Sequence, residues 1–370
     1  MIRLNDFKRQ WAETRGAALA AFAEFGASGW YILGREVAAF EAALANLWGV
    51  PYAVGVASGL DAIELSLRAL GCGAGDRVLT TPISAFATTL AIVKLGAVPV
   101  FADTDERGNI DLDLCRQVLA ARGDIRFFVP VHLYGHPLDM RKLAALRRDF
   151  DCLIVEDCAH SIGAHHEGIL TGAIGHAAAT SFYPTKNLGA MGDGGAVLTP
   201  DRDAAQRVRM LRDYGQIAKD RHTLAGSNSR LDELQAALLR RVGLEWLPKW
   251  AAARCRNASA YAGGISNPAI TLQGSPPGAR SSWHLFPVWV EPERKPDFLA
   301  WLNNSGIVCG EHYPIPIPEQ PVMSELPFEM ATEIPVASRL CRSEVTLPVH
   351  PYLTEAEVAQ VIEICNAWKG

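Results

Sequence analysis

Paired cysteines, excess positive charge and long apolar runs are all missing from this sequence, and each absence removes a class of function. The eight cysteines, at positions 72, 115, 152, 158, 255, 309, 341 and 365, form no C-x-x-C pair. A chain of 370 residues also needs no stapling, so neither a disulfide framework nor a cysteine metal knuckle is expected. The formal charge of −5 and the pI near 6.1 exclude the basic footprint of a nucleic-acid-binding surface. Arg147-Arg148 and Arg240-Arg241 read as solvated helix faces. No apolar stretch reaches the ~20 residues that a bilayer requires. The first residues, Met1-Ile2-Arg3-Leu4-Asn5-Asp6-Phe7-Lys8, lack the apolar centre of a signal peptide, so a cytoplasmic location is expected. Among the histidines, His132 and His136 lie four apart, but Gly135 and Pro137 spoil a helical metal face. His165 and His166 are adjacent, so their side chains diverge.

What is present is a large apolar share, 49%, with 20% charged residues, enough for an extensive core. The first half alternates two patterns. Strand-like runs appear at Tyr52–Val56, Val78–Thr81, Val98–Ala102, Phe127–Val131 and Cys152–Glu156. Helix-like stretches separate them at Leu60–Leu70, Phe86–Leu95 and Met140–Arg148. Buried strands divided by helices predict an α/β fold with a mostly parallel sheet, whose ligands sit beyond the carboxyl ends of the strands. A long helical pattern runs from Leu231 to about Tyr261, with a kink or break expected at Pro248. A second α+β unit follows, with a strand at Leu285–Val290 and a helix at Asp297–Asn304. It ends in a helix over Glu355–Trp368 that Thr354 and Glu357 open as a capping box. These features predict two domains, residues 1–247 and 248–370.

Three segments at strand ends carry possible chemistry. Glu156-Asp157 closes an apolar run; Ser181-Phe182-Tyr183-Pro184-Thr185-Lys186-Asn187 follows another, with glycines just beyond; Ser58-Gly59-Leu60 opens a helix. Singly, these read as a cap or a metal ligand, a loop lysine and an ordinary helix start. Together they suit a pyridine cofactor: a lysine for a Schiff base, an aspartate for a ring nitrogen and a helix N-terminus for a phosphate.

The sequence resembles the DegT/DnrJ/StrS family of nucleotide-sugar aminotransferases, pyridoxal-phosphate (PLP) enzymes of the aspartate aminotransferase fold (fold type I). The resemblance begins at Gly29–Val37 and runs through Ser58–Ala62, His132–Gly135, Glu156–His160 and Ser181–Gly195. It ends with Asn228–Ala237 and His312–Pro316, so it spans nearly the whole chain. It implies that Lys186 is the Schiff-base lysine and proton shuttle, and that Asp157 pairs with the pyridinium nitrogen. It further implies that Phe86 stacks on the ring. Ser58, Ser181 and the amides of Gly59 and Leu60 would cradle the phosphate, which Asn228 would reach from a second subunit.

Two positions depart from the pattern. Leu60 stands where the family often has Thr, which removes a hydroxyl from the phosphate cradle. His160 stands where Gln usually contacts the ring oxygen; imidazole can donate there, but it can also titrate. Arg230, His312 and Tyr313 are candidates for holding substrate. The implied function is amino transfer from L-glutamate, leaving 2-oxoglutarate, to a UDP- or dTDP-linked keto sugar, by a homodimer with shared sites. The pathways implied are those of O-antigen, lipopolysaccharide or antibiotic amino sugars. The alternatives are a PLP-dependent sugar dehydratase or other PLP enzyme, and a regulatory homologue that has lost catalysis. An intact Lys186 disfavours dehydration, and retention of Lys186, Asp157 and Ser181 together disfavours retirement.

Overall fold

The computed structural model describes residues 1–370. The alternating pattern becomes one eight-stranded sheet. Its order is Tyr52–Val56, Gly195–Thr199, Ala177–Ser181, Leu153–Asp157, Ile125–Val129, Arg77–Thr80, Val98–Phe101 and Glu329–Met330. Only Gly195–Thr199 runs against its neighbours; the other pairings are parallel. Each strand expected in the first half is found, displaced by two residues at most.

The strands read as continuous apolar runs because both faces are covered. Neighbouring residues point to opposite sides, so Val78 and Leu79, Phe127 and Phe128, and Ile154 and Val155 divide between two cores. One core is closed by the helices Gly59–Ala69 and Arg202–Leu211, the other by Leu112–Ala121 and Met140–Asp149. Helix starts obey local chemistry: Asp111, Asp139 and Asp201 each accept two backbone N–H bonds at the head of a helix.

Two helices, Phe7–Ser28 and Arg35–Trp48, precede the first strand and have no counterpart in the sequence reading. The long helix also differs from expectation. Glu233–Leu238 gives way to a π-helical turn at Leu239–Gly243, and Leu244–Gly264 then runs unbroken through Pro248. The irregularity thus precedes the proline, in a wide turn that re-phases the helix before the residue lacking an N–H.

Beyond it, Thr271–Leu272, Phe286–Trp289 and Glu344–Leu347 form an antiparallel sheet with its own apolar cluster, which Ile2 joins from the N-terminus. The Thr354–Glu357 capping box forms as expected. Glu329–Met330 returns to the edge of the large sheet.

Candidate active site

The carboxyl ends of Leu153–Asp157 and Ala177–Ser181 and the start of helix Gly59–Ala69 open into one cavity of about 390 Å³. Ser58, Gly59, Leu60, Asp157, His160, Ser181 and Lys186 all line it, although up to 128 positions separate them in the chain (186 − 58). His312 and Tyr313 close it from the C-terminal part.

At one end is a bare helix terminus. The Ser58 hydroxyl accepts from the N–H of Asp61, leaving the first amides of the helix to face the cavity. The backbone approaches closely here: a Cβ on Gly59 would lie 2.6 Å from Cβ of Ser181, and one on Gly195 only 2.3 Å from the Ser58 carbonyl oxygen. Glycine is therefore a steric requirement at both positions, and the result is an anion cradle of amides beside the Ser181 hydroxyl.

In the middle is Lys186. Burial pulls its pKa down to about 8, against the opposing pull of Asp157. Roughly a tenth of the amine is then free at pH 7, compared with a trace for an ordinary lysine. Asp157 is buried; its Oδ1 accepts from the Ala159 N–H at 3.0 Å and its Oδ2 from the Thr88 hydroxyl at 2.8 Å. Burial raises its pKa, opposed by those two bonds and by Lys186. A carboxylate in that state gains from a cationic partner.

The backbone settles the tautomer of His160. Its Nδ1 accepts the Tyr134 N–H at 3.2 Å, so in the neutral ring Nε2 carries the proton and donates. Burial and then the Lys186 charge push its pKa well below the ordinary value, so the ring stays neutral near pH 7. Imidazole therefore offers what the expected Gln amide would: a donor without charge.

Phe86, the residue expected to stack on the ring, opens the helix Phe86–Lys94. Its partly buried ring packs against the cluster of Phe101, Ile317 and Met323, and its chain neighbours Ala85 and Ala87 line the cavity. Asn228 and Arg230 lie outside the cavity of their own chain. Arg230 donates to Asn228 Oδ1 at 2.9 Å and to Asp213 at 3.1 Å and covers the Tyr214 ring.

Sequence reasoning missed Thr88 and His284. Thr88 meets Asp157 across 69 residues. His284 lies with its ring 4.4 Å from that of His160, at the head of the strand Phe286–Trp289. No local pattern announces either.

His132, Glu156 and Cys158 form the one buried group with metal-like spacing. Glu156 accepts from the N–H groups of Gly172, Ile174 and Gly175 and from His132 Nε2, while His132 Nδ1 accepts from the Leu138 N–H. Burial keeps the Cys158 thiol protonated. The ligand atoms of Glu156 and His132 are thus already engaged within the chain.

The cavity thus joins a nucleophilic amine, a buried carboxylate and an anion cradle. Residues 13–366 match the model of the DegT/DnrJ/EryC1/StrS aminotransferase family. The chain is 40% identical over 366 residues to dTDP-3-amino-3,4,6-trideoxy-alpha-D-glucose transaminase of Streptomyces venezuelae, covering 98% of this chain and 95% of that protein. It superposes on S. venezuelae DesV in complex with a ketimine intermediate with a TM-score of 0.93 and 40% identity, over 98% and 97% of the two chains. NtdA from Bacillus subtilis, solved with bound cofactor PMP, matches with a TM-score of 0.86 and 27% identity over 95% of this chain and 81% of that one. The chain is a member of the DegT/DnrJ/EryC1/StrS aminotransferase family.

Proposed function

We propose that this aminotransferase moves the amino group of L-glutamate to a dTDP- or UDP-linked keto sugar, using Lys186 as the reacting base. The observation that carries the reading is the convergence of a lysine with a pKa near 8, a buried aspartate and a glycine-gated helix terminus on one cavity. The substrate class is supported by the S. venezuelae relative, which acts on a dTDP sugar and matches over nearly its full length.

The residues fit pyridoxal phosphate. A Cβ would fill the cradle at Gly59, the amides and Ser181 complement a phosphate, and Asp157 complements a protonated ring nitrogen. When bound, the cofactor supplies an electron sink and a carrier for the amino group. The chain supplies the rest. Asp157, fixed by Thr88 and the Ala159 amide, holds the proton on the ring nitrogen. Lys186 Nζ takes a proton from the donor's α-carbon and later delivers one to the acceptor carbon. His160, with its proton on Nε2, would donate a hydrogen bond to the cofactor's ring oxygen. His312 and Tyr313 line the mouth on the sugar side. The two substrates take turns, so the kinetics are ping-pong.

The same reading makes the protein a cytoplasmic homodimer with a large domain of residues 1–247 and a small one of 248–370. Asn228 is exposed and outside its own cavity, as a residue completing a partner's phosphate site must be. Trp30, Tyr31 and Ile32 are more than 40% exposed, an apolar surface that a second copy would cover. The domain division is supported by the separate apolar cluster of the C-terminal sheet.

The test is a panel of UDP-, dTDP- and GDP-linked keto sugars incubated with PLP-loaded protein and L-glutamate, read by mass spectrometry for the amino sugar and 2-oxoglutarate. No amino sugar from any member would overturn the reading. Mixing an inactive Lys186→Ala subunit with an inactive Asn228→Ala subunit tests the shared site: action in trans restores about a quarter of all sites, action in cis none.

A further inference from the structure

A second, smaller cavity lies behind Lys186. It measures about 100 Å³ and shares Thr185, His284 and His312 with the larger one. Its polar wall is Asn5, Thr185, Arg254, His284 and His312; no acid lines it, and the remainder is aliphatic. Every polar side chain in that wall can donate a hydrogen bond.

Arg254 is the distinctive member. It is 4% exposed and forms no ion pair, whereas Arg212, at 7%, is held by Glu41. Nη1 of Arg254 donates to the carbonyls of Trp283 at 3.2 Å and His284 at 3.1 Å, and its Nε has no partner. The nearby Asp6 carboxylate is committed elsewhere, accepting from the Lys8 and Arg9 amides at a helix start. A guanidinium cannot shed its charge, so a buried one without an anion is costly unless an anion arrives. Nδ1 of His284 is likewise buried without a partner.

We infer that this cavity is the subsite for a carboxylate of the amino donor, with Arg254 as its counter-ion. The inference rests on the transaminase reading and names the part of that site which separates the two substrates. An amino-acid donor always carries a carboxylate one bond from the reacting carbon, and a neutral keto sugar has none. Size agrees: a cavity of about 100 Å³ has room for a small polar group such as a carboxylate and is far smaller than the neighbouring cavity of about 390 Å³. A planar fork of N–H donors suits a carboxylate best.

The bland alternative is that Arg254 only ties down the Trp283–His284 backbone. The two half-reactions separate these roles. PLP-loaded Arg254→Gln and Arg254→Lys are mixed with L-glutamate, and PMP-loaded samples with a dTDP-linked keto sugar, each followed by cofactor absorbance in single turnovers. The expected result is a rise of roughly 10- to 100-fold in the glutamate concentration for half-maximal rate with Gln, less with Lys, and a sugar half-reaction within about 2-fold of wild type. Equal losses in both halves, or normal use of glutamate, overturn the inference. If the Arg254 variants do not fold, Asn5→Leu on the opposite wall decides: a selective rise for glutamate supports the subsite, and none removes it. Failure of the transaminase reading looks different, because wild-type protein would then transfer no amino group at all.

Discussion

Glu156 and Asp157 are consecutive residues of one strand, both buried, yet one is structural and the other faces the reaction space. The strand's alternation sends them to opposite sides of the sheet. Glu156 meets three backbone amides and the His132 ring and has no capacity left. Asp157 receives one amide and one hydroxyl, and its remaining lone pairs look toward Lys186 across the cavity. The lesson concerns saturation. A buried carboxylate whose acceptors are filled from its own chain stabilises a fold, and one left partly open is available to a ligand.

The sharpest break in the comparison comes at Lys186, on the open side. Lys186→Ala should fold and lower turnover by roughly 10⁴-fold, because both the nucleophile and the proton carrier are lost. Borohydride treatment of PLP-loaded wild type should fix the cofactor to the peptide containing Lys186; label on Lys94 or Lys249 would refute the assignment. The rate at which cofactor-free protein captures PLP should rise with pH and level off above about pH 8. The reacting species is the free amine, which burial makes half-populated near that pH.

Exchanging the two carboxylates for their amides sharpens the contrast. Asp157→Asn keeps size and both donor partners' neighbourhood but cannot hold a ring proton by charge. Turnover should fall by roughly 10²- to 10³-fold with little change in melting temperature. Glu156→Gln should do the reverse. Its amide group would turn a donor toward backbone N–H groups that need an acceptor, costing about 2–3 kcal/mol of stability. The melting temperature should drop by several degrees, while activity per folded molecule stays within about 2-fold. If Glu156→Gln silences a well-folded enzyme, the division between the two sides of the strand is wrong.

Much of this was legible in the sequence, and the exceptions have physical causes. Strand ends could be read because runs buried on both faces stand out, and the site lies where parallel strands end. Lys186, Asp157 and Ser181 stood out through their resemblance to family motifs at strand ends, and the fold brings all three to one cavity. Thr88, His284 and Arg254 did not stand out, since their partners come from segments that only the fold brings near. Phe86 shows the limit within a single element: the helix starts at Phe86 as the pattern indicates, but the cluster its ring packs on, Phe101, Ile317 and Met323, comes from distant segments. Pro248 shows another, because a preceding π turn can absorb the irregularity that a proline predicts. Asn228 lies outside the cavity of its own chain, and the role proposed for it needs a second copy, which no pattern in one chain contains.

The smallest expected effect is at His160, and it tests whether a neutral donor is all that the site needs there. Sequence alone left open an imidazole that titrates. In the fold, burial and the Lys186 charge depress its pKa well below the ordinary value, so the ring is neutral, with its one proton on Nε2, near pH 7. His160→Gln preserves a donor near the ring oxygen and changes no ionisation near that pH. Turnover should stay within about 3-fold, and the pH profile from 6 to 8 should keep its shape. The cost should appear in stability instead. The Tyr134 N–H loses its Nδ1 acceptor and the His284 ring loses its neighbour, a loss of about 1 kcal/mol unless the Gln oxygen takes over the bond. A profile whose acid limb moves in the variant would mean that His160 titrates in the working enzyme. Its charge, and not only its hydrogen bond, would then belong to the chemistry.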